Sequence, residues 1–356
     1  MSTDTWKDFR LINFTPKKVA DYDVEIAIQY CGVCASDVHT ITGGWRPNSA
    51  TRRVSLTLCF QMITGHEIVG HVKSVGPKVT KFKPGDRVGV GAQSDSCRDC
   101  DRCDNNNEQY CFNSTSTYNS HHLTGEISHG GYSTGKVANE LFVFPIPDEM
   151  PLKQAASMCC GGLTVFSPLK RYGAGPGKKV AVIGIGGLGH YALQFAAALG
   201  ADDVIAISHT ESKKEDAFKM GATRFVATAN DGLQKSGLKN VDIIISTIDV
   251  NTAIPIKDLC AIMSIGGALV SVGLPDGKVP LGLGDLSVSA ANLTCTNIGS
   301  KAEAIEMFDL AVKKGVRTWI QEYDMKDCST AVQALHGDLP GTEVRYRQVL
   351  KMDIDY

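Results

Sequence analysis

The run Gly184-Ile185-Gly186-Gly187-Leu188-Gly189 follows a short, continuously apolar segment, Val180–Ile183. It opens a helical pattern over about Leu188–Leu199, and a second apolar segment, Asp203–Ser208, comes next. Glycines spaced G-x-G-x-x-G between a strand and a helix constrain the chain to a parallel strand–helix–strand unit. The first glycine permits a tight turn, and the second lets backbone approach a pyrophosphate. The third lets the helix pack closely on the strand, with its N-terminus facing the negative charge. An ordinary strand–helix turn is the alternative, but the apolar strand before it and the helix after it are the context a dinucleotide site requires. Val241–Ser246 and Ala268–Val272 are further buried-strand candidates. Strands alternating with helices predict a doubly wound, mostly parallel sheet, assigned to residues 153–297.

The texture before this unit is different. From Val24 to about Pro147 the chain reads as short strands punctuated by Gly and Pro, including Val24–Ile28, Glu67–Ser74, Arg87–Val90 and Leu141–Ile146. Asp148–Pro151 reads as a boundary, followed by a helical stretch over Gln154–Tyr172 and the turn Gly173–Gly177. After about Ile298 a helix at Ala302–Lys314 and a strand at Arg347–Met352 close the chain. This tail is expected to rejoin the first domain, so residues 1–152 and 298–356 form a mostly-β domain into which the dinucleotide unit is inserted. A chain of 356 residues is long enough for both.

Formal net charge is −2, which argues against nucleic acid or an anionic membrane surface as a partner. No apolar run reaches transmembrane length. The twelve cysteines could suggest disulfides. The chain is too long for a small stapled scaffold and starts without a charged-then-apolar signal segment, so reduced thiols in the cytoplasm are expected.

Four of those cysteines, Cys97, Cys100, Cys103 and Cys111, fall at C-x2-C-x2-C-x7-C on a polar stretch. Tetrahedral structural zinc needs four thiolates on one short lobe, whereas a redox pair needs only two. A catalytic zinc needs about three protein ligands and an open position, and they must come from separate segments. Cys34, His66, Glu67 and Cys160 are candidates, though each has a bland reading: a buried cysteine is often a small hydrophobe, and a lone histidine is usually a packed or surface residue. At the end of the second apolar strand an acid would bind the ribose hydroxyls of NAD. Here the chain reads Ser208-His209-Thr210-Glu211-Ser212-Lys213-Lys214. A hydroxyl and lysines suit a ribose phosphate, so NADP is predicted. Glu211 would oppose phosphate if it pointed inward, and the lysines could equally be a solvated helix start.

The motifs CGVCASDVH (Cys31–His39), GHEIVG (Gly65–Gly70), the four-cysteine lobe, CCGGLTVFSPL (Cys159–Leu169) and GIGGLG (Gly184–Gly189) occur together and in order. In this the chain resembles the zinc-dependent medium-chain alcohol dehydrogenases, and more narrowly the cinnamyl alcohol dehydrogenase group with its fungal broad-range NADPH-dependent aldehyde reductases. The resemblance spans about Asp23 to Leu350. It implies a GroES-like mostly-β catalytic domain beside a Rossmann domain, two zinc ions per chain, NADP(H), and a homodimer. Cys34, His66 and Cys160 would be the catalytic zinc ligands, with Cys159 a packing residue. Glu67 would lie beside the metal and ligate it when substrate is absent. Asp37 would fix the zinc-binding imidazole, Ser36 would take the alcohol proton, and His39 would pass it toward solvent. Gly184, Gly186, Gly187, Leu188 and Gly189 would hold the cofactor at the turn. Ser208, His209, Thr210 and Lys214 would hold it at the ribose phosphate. A cleft between the two domains is where such a site is expected.

The implied activity is NADPH-dependent, reversible reduction of aromatic and medium-sized aldehydes of the cinnamaldehyde kind. Alternatives are a family reductase acting on an iminium or conjugated double bond, and a catalytically silent zinc- and nucleotide-binding protein. Two places depart from the family. Arg46–Thr64 is longer than its counterpart and carries the apolar stretch Val54–Ile63, so it is either a genuine loop at the substrate mouth or a gene-model artefact. Ser114-Thr115-Ser116-Thr117-Tyr118 stands where the plant lignin enzymes place a bulky aromatic, which points to a wider pocket. Trp45 and Tyr118 are read as pocket or core residues. Ser271–Leu274 and Leu286–Ala291 are read as interface strands or covered sheet edges.

Overall fold

A computed structural model describes residues 7–43, 62–249, 255–274 and 279–354. Trp45 and most of the Arg46–Thr64 segment lie outside the described residues. The chain divides into two compact units. One comprises Met1–Cys160, Gly299–Val312 and Arg317–Tyr356; the other comprises Gly161–Ile298 and Lys313–Val316.

The first unit is built on a seven-stranded sheet. Its order is Ile320–Asp324, Arg347–Lys351, Asp23–Val33, Ile68–Val75, Arg87–Val90 and Val143–Pro145, with Gly135–Asn139 also paired to Asp23–Val33. The strand Asp23–Val33 organises it. Its first half pairs with Gly135–Asn139, its second half pairs with Arg347–Lys351, and Ile68–Val75 runs along its other side. Alternation puts Val24, Ile26 and Ile28 on one face, where they are buried with Val72, Val88, Val90 and Leu350. The C-terminal strand therefore completes the same sheet that the N-terminal third begins.

Two local differences from the sequence expectation have clear causes. The strand predicted at Leu141–Ile146 forms only at Val143–Pro145. The Asn139 side chain accepts the Leu141 N–H at 3.1 Å and turns Glu140–Phe142 into a single 3-10 turn. The helix predicted over Gln154–Tyr172 is interrupted. A turn at Leu152–Ala155 and a 3-10 segment at Ala156–Cys159 end at Cys160, whose φ of −124° and ψ of −69° leave the helical region. A fresh helix runs from Gly161 to Arg171. The interruption turns neighbouring cysteines apart. Cys159 Sγ lies against the carbonyls of Ile68 (3.7 Å) and Ala155 (3.6 Å), in the core.

The second unit is a six-stranded, all-parallel sheet. Numbered in chain order, its strands Lys179–Ile183, Asp203–Ser208, Arg224–Ala227, Val241–Ser246, Met263–Ser271 and Asn292–Cys295 lie in the order 3-2-1-4-5-6. This is a doubly wound dinucleotide fold, and the order reverses between Lys179–Ile183 and Val241–Ser246. Helices cover both faces, so the central strands carry apolar residues at successive positions: Val180, Ala181, Val182 and Ile243, Ile244, Ile245 are all buried. Leu286–Ala291 is not a strand. The Asp285 carboxylate accepts the Gly282 N–H at 3.3 Å, nucleating the helix Leu283–Ser287, and the edge strand starts only at Asn292. Ser271–Leu274 contributes only Ser271, the end of its strand.

Candidate active site

Cys34 caps the short helix Ala35–Thr42, His66 and Glu67 precede the strand Ile68–Val75, and Cys160 occupies the helix interruption. Ligating atoms of all four residues lie within 4.8 Å of one another, and all four are buried. His66 Nε2 stands 3.2 Å from Cys160 Sγ. Two thiols, an imidazole and a carboxylate buried together constitute a donor set that needs a cation, and it fits zinc. The thiols perturb one another in opposite senses: the hydrogen bond between them holds Cys34 well below and Cys160 well above the ordinary thiol range.

Asp37, three residues along the helix from its Cys34 cap, anchors this cluster. It is entirely buried, and its two oxygens accept four hydrogen bonds. Oδ1 takes His66 Nδ1 (3.0 Å) and Gly65 N (3.2 Å); Oδ2 takes Cys34 N (3.0 Å) and the Tyr132 hydroxyl (3.2 Å). Asp37 thereby selects the His66 tautomer whose Nε2 lone pair points at Cys160. Gly65 can be only glycine: its φ is +97° and a Cβ would meet Tyr132 Cδ1 at 2.5 Å. Ser36 and His39, three residues apart on the same helix, are both half-buried. Ser36 Oγ is 3.7 Å from Cys34 Sγ.

Sequence reasoning missed several neighbours. Arg347, the first residue of the last strand, donates to Glu67 Oε1 with both side chains buried. Burial pushes Glu67 up to about 8, against the pull of the Arg347 charge. Tyr132 holds Asp37. Tyr118, already read from the sequence as a pocket or core residue, lies with its ring 5.5 Å from that of His66 and its hydroxyl 3.4 Å from Thr40 Oγ1. Nothing in the spacing of Arg347 or Tyr132 marks them. Strand pairing brings Arg347 to the cluster, and backbone hydrogen bonds between residues 130–132 and 63–65 bring Tyr132.

The four-cysteine lobe closes on itself. Sulfur–sulfur distances are 3.4 Å for Cys97–Cys111, 3.6 Å for Cys100–Cys103, and 3.9 Å for both Cys97–Cys103 and Cys100–Cys111. A tetrahedron of thiolates about 2.3 Å from a central zinc has edges of about 3.8 Å, so this sulfur cage fits that ion. All four thiols are free rather than disulfide-bonded.

In the second unit the glycine turn lies at the reversal of strand order. Gly184 has a φ of +90°, and a Cβ on Gly189 would meet the Gly184 carbonyl oxygen at 2.0 Å. Gly186 faces open space, the approach a pyrophosphate requires. Gly187 and Leu188 form the half-buried entry to the helix Gly189–Ala198. Thr247, at the end of the neighbouring strand, donates to the Gly184 carbonyl at 2.7 Å and fixes the turn. Ser208 ends its strand half-buried, while His209 and Thr210 are exposed, and Thr210 Oγ1 lies 3.0 Å from Ser212 Oγ. The two lysines divide. Lys214 pairs outward with Glu211 at 3.3 Å, whereas Lys213 Nζ lies 2.9 Å from the Ile185 carbonyl, inside the glycine turn. Lys213 rather than Lys214 is therefore the lysine nearest the turn, and Lys214 neutralises the acid that would have opposed a phosphate.

Residues 20–148 match the alcohol dehydrogenase GroES-like domain, and residues 187–313 match the zinc-binding dehydrogenase domain. The chain is 36% identical over 351 residues to NADP-dependent alcohol dehydrogenase 6 of Saccharomyces cerevisiae, covering 98% of this chain and 94% of the relative. Its structure is similar to a cinnamyl alcohol dehydrogenase from Sorghum bicolor, with a TM-score of 0.86, 34% identity, and coverage of 95% and 92%. It is also similar to CAD from Helicobacter pylori complexed with NADP(H), with a TM-score of 0.84, 34% identity, and coverage of 96% and 94%.

Proposed function

This chain belongs to the zinc-dependent medium-chain alcohol dehydrogenases, and on that premise we propose that it interconverts aldehydes and primary alcohols with NADP(H), acting on aromatic and medium-sized substrates of the cinnamaldehyde kind. The observation that carries the reading is the convergence of Cys34, His66, Glu67 and Cys160 donor atoms within 4.8 Å, with the Ser36 hydroxyl beside Cys34.

When bound at Cys34, His66 and Cys160, zinc supplies Lewis-acid polarisation of the substrate oxygen, and NADPH supplies the hydride. The chain's own residues do the rest. Asp37 holds His66 in the liganding tautomer. Ser36 Oγ gives a proton to the nascent alcohol oxygen, or removes it in the reverse direction. His39, three residues along the same helix, exchanges that proton with solvent. Glu67 is kept at the cluster by Arg347, where it would be at hand to hold the zinc when no substrate does. Gly184, Gly186 and Gly189 leave backbone room for the pyrophosphate. Thr210 and Lys213 offer a hydroxyl and a cation to the ribose phosphate. The small residues Ser114–Thr117 favour a wide pocket over one selective for a lignin precursor.

The chain acts in the cytoplasm as a homodimer in this reading. Ile265, Leu283 and Val288, respectively 90%, 79% and 62% exposed near the edge strand Asn292–Cys295, favour self-association of that unit. No helix among the described residues is long and apolar enough to cross a membrane.

The test is reduction of cinnamaldehyde by the purified protein, with NADPH and NADH compared in one run. NADPH-selective turnover is the expected result. Tight NADPH binding without turnover on any carbonyl would mark a silent binding protein instead. Light scattering of the same sample reads the oligomeric state.

A further inference from the structure

Lys136 is a buried lysine. It lies in the strand Gly135–Asn139 and is 4% exposed. Its ammonium reaches three neutral oxygens: the carbonyls of Thr117 (2.8 Å) and His129 (2.8 Å) and the hydroxyl of Ser128 (3.0 Å). Ser128 in turn donates to the Thr117 carbonyl at 3.0 Å. Burial pushes the Lys136 pKa down to about 7. A group so costly to bury persists where its hydrogen bonds do something a leucine cannot.

The segments it fastens both lead to the catalytic cluster. One residue beyond Thr117 is Tyr118. Thr40 spends its only hydroxyl hydrogen on the Ser36 carbonyl at 2.9 Å, so Tyr118 is the donor in the 3.4 Å contact with Thr40. Tyr118 thus touches the proton-relay helix while its ring faces His66. Beyond His129 comes a three-rung ladder: Gly130 N to Ile63 O (2.7 Å), Tyr132 N to Thr64 O (2.9 Å) and Gly131 N to Gly65 O (2.7 Å). The ladder stops immediately before His66, and its last member, Tyr132, donates to Asp37.

We propose that Lys136 is a positioning residue for the catalytic metal site: by tying Thr117, Ser128 and His129 to one ammonium, it sets the placement of Tyr118 and Tyr132 and, through Asp37, the aim of the His66 imidazole. This rests on Cys34, His66 and Cys160 being the catalytic zinc site. The hydrogen bonds of Lys136 go to Thr117, Ser128 and His129 and not to the ligands, so the route argued for its effect runs through the two tyrosines and the ladder.

The experiment compares wild-type holoenzyme with Lys136→Met, which keeps an unbranched side chain one atom shorter and loses all three donors, and with Tyr132→Phe, which keeps the ring and loses the Asp37 contact. Three quantities are measured: kcat on cinnamaldehyde, KM for NADPH, and the rate at which zinc is released to a chromophoric chelator. Direct partners of a metal ligand, such as Asp37, affect affinity or activity by about 10- to 100-fold, so Lys136→Met, acting through Asp37, is expected to lower kcat and speed release of one zinc by up to that order. KM for NADPH is expected to stay unchanged, and Tyr132→Phe to move the same two quantities in the same direction by less. A Lys136→Met protein that melts at lower temperature but keeps wild-type kcat and zinc release overturns the proposal, since the lysine is then only a strut. Where that variant does not fold, Ser128→Ala, which removes one acceptor, replaces it with the same criteria. A wild-type protein without reductase activity or a second zinc equivalent would instead sink the underlying functional reading, which separates the two failures.

Discussion

Oε1 of Glu67 accepts a hydrogen bond from the Arg347 guanidinium, although 280 residues separate the two and both are buried. The pair exists because the last strand lies beside Asp23–Val33, which is itself paired with the strand that follows Glu67. A Cβ on Gly32 would meet Glu67 Oε2 at 1.9 Å, so the absence of a side chain at Gly32 is what leaves the carboxylate its place.

At about pH 9, above the Glu67 pKa of about 8, Arg347→Met should therefore leave a buried carboxylate without its Arg347 counter-charge. Breaking such a pair from one side costs about 3–5 kcal/mol. Urea unfolding of the zinc-loaded protein reads this directly, and adding Glu67→Gln should recover much of the loss. A destabilisation under about 1 kcal/mol, the value of an exposed pair, would mean that the buried contact is energetically idle.

The two cysteine clusters should fail differently. Cys97→Ser opens the sulfur cage of a small lobe whose order depends on its metal, so soluble yield and melting temperature should fall first. Cys160→Ser should keep the fold and lose turnover by at least about 100-fold. Zinc content should drop by one equivalent in each. Equal loss of soluble protein from both variants would undo the division between structural and catalytic sites.

Lys213→Ala should raise KM for NADPH by roughly 10- to 100-fold, the equivalent of one charge-assisted hydrogen bond of about 1.5–3 kcal/mol. KM for NADH should change little. Lys214→Ala should leave both nearly unaltered, because that lysine is paired with Glu211. Steady-state kinetics of the two variants side by side decide between the lysines, and a larger effect at Lys214 would reverse the assignment.

His122 gives the fold an acid sensitivity. Burial, with the Lys136 and Lys17 charges adding to it, holds His122 down to about 4, below its ordinary value of 6.5. The unfolded chain thus binds the proton more readily. Stability is fully present above about pH 6.5 and is lost as pH falls toward 4. His122→Leu removes this contribution, so its melting temperature should fall less than that of wild type between pH 6.5 and 4 in zinc-supplemented buffer. Parallel curves would show that the imidazole titrates alike in both states.

Much of the site was legible in the chain because its chemistry is local. The spacing of Cys97, Cys100, Cys103 and Cys111 puts four sulfurs on one lobe, whatever the rest of the fold does. Gly184 and Gly189 answer steric demands of a strand–helix turn and Gly186 leaves its approach open, so strand, turn and helix were found together. The strands Asp203–Ser208 and Val241–Ser246 were also clear, because a sheet covered on both faces writes continuous apolar runs.

Other features were not written locally. Periodicity carried the predicted helix straight through Cys160, because a single non-helical residue costs the pattern nothing. The orientation of Lys213 against Lys214 depends on one 3-10 turn, Glu211–Lys213, that composition does not reveal. Local spacing and sterics thus determined the metal lobe, the glycine turn and the two-part α/β plan. Tertiary structure alone decided that Arg347 meets Glu67, that Tyr132 meets Asp37, and that Lys136 binds Thr117 and His129. The first two join segments 280 and 95 residues apart, while Lys136 lies 19 and 7 residues from its partners; a contact of either kind leaves no periodicity or spacing along the chain. It exists only once strand pairing has fixed which backbones lie side by side.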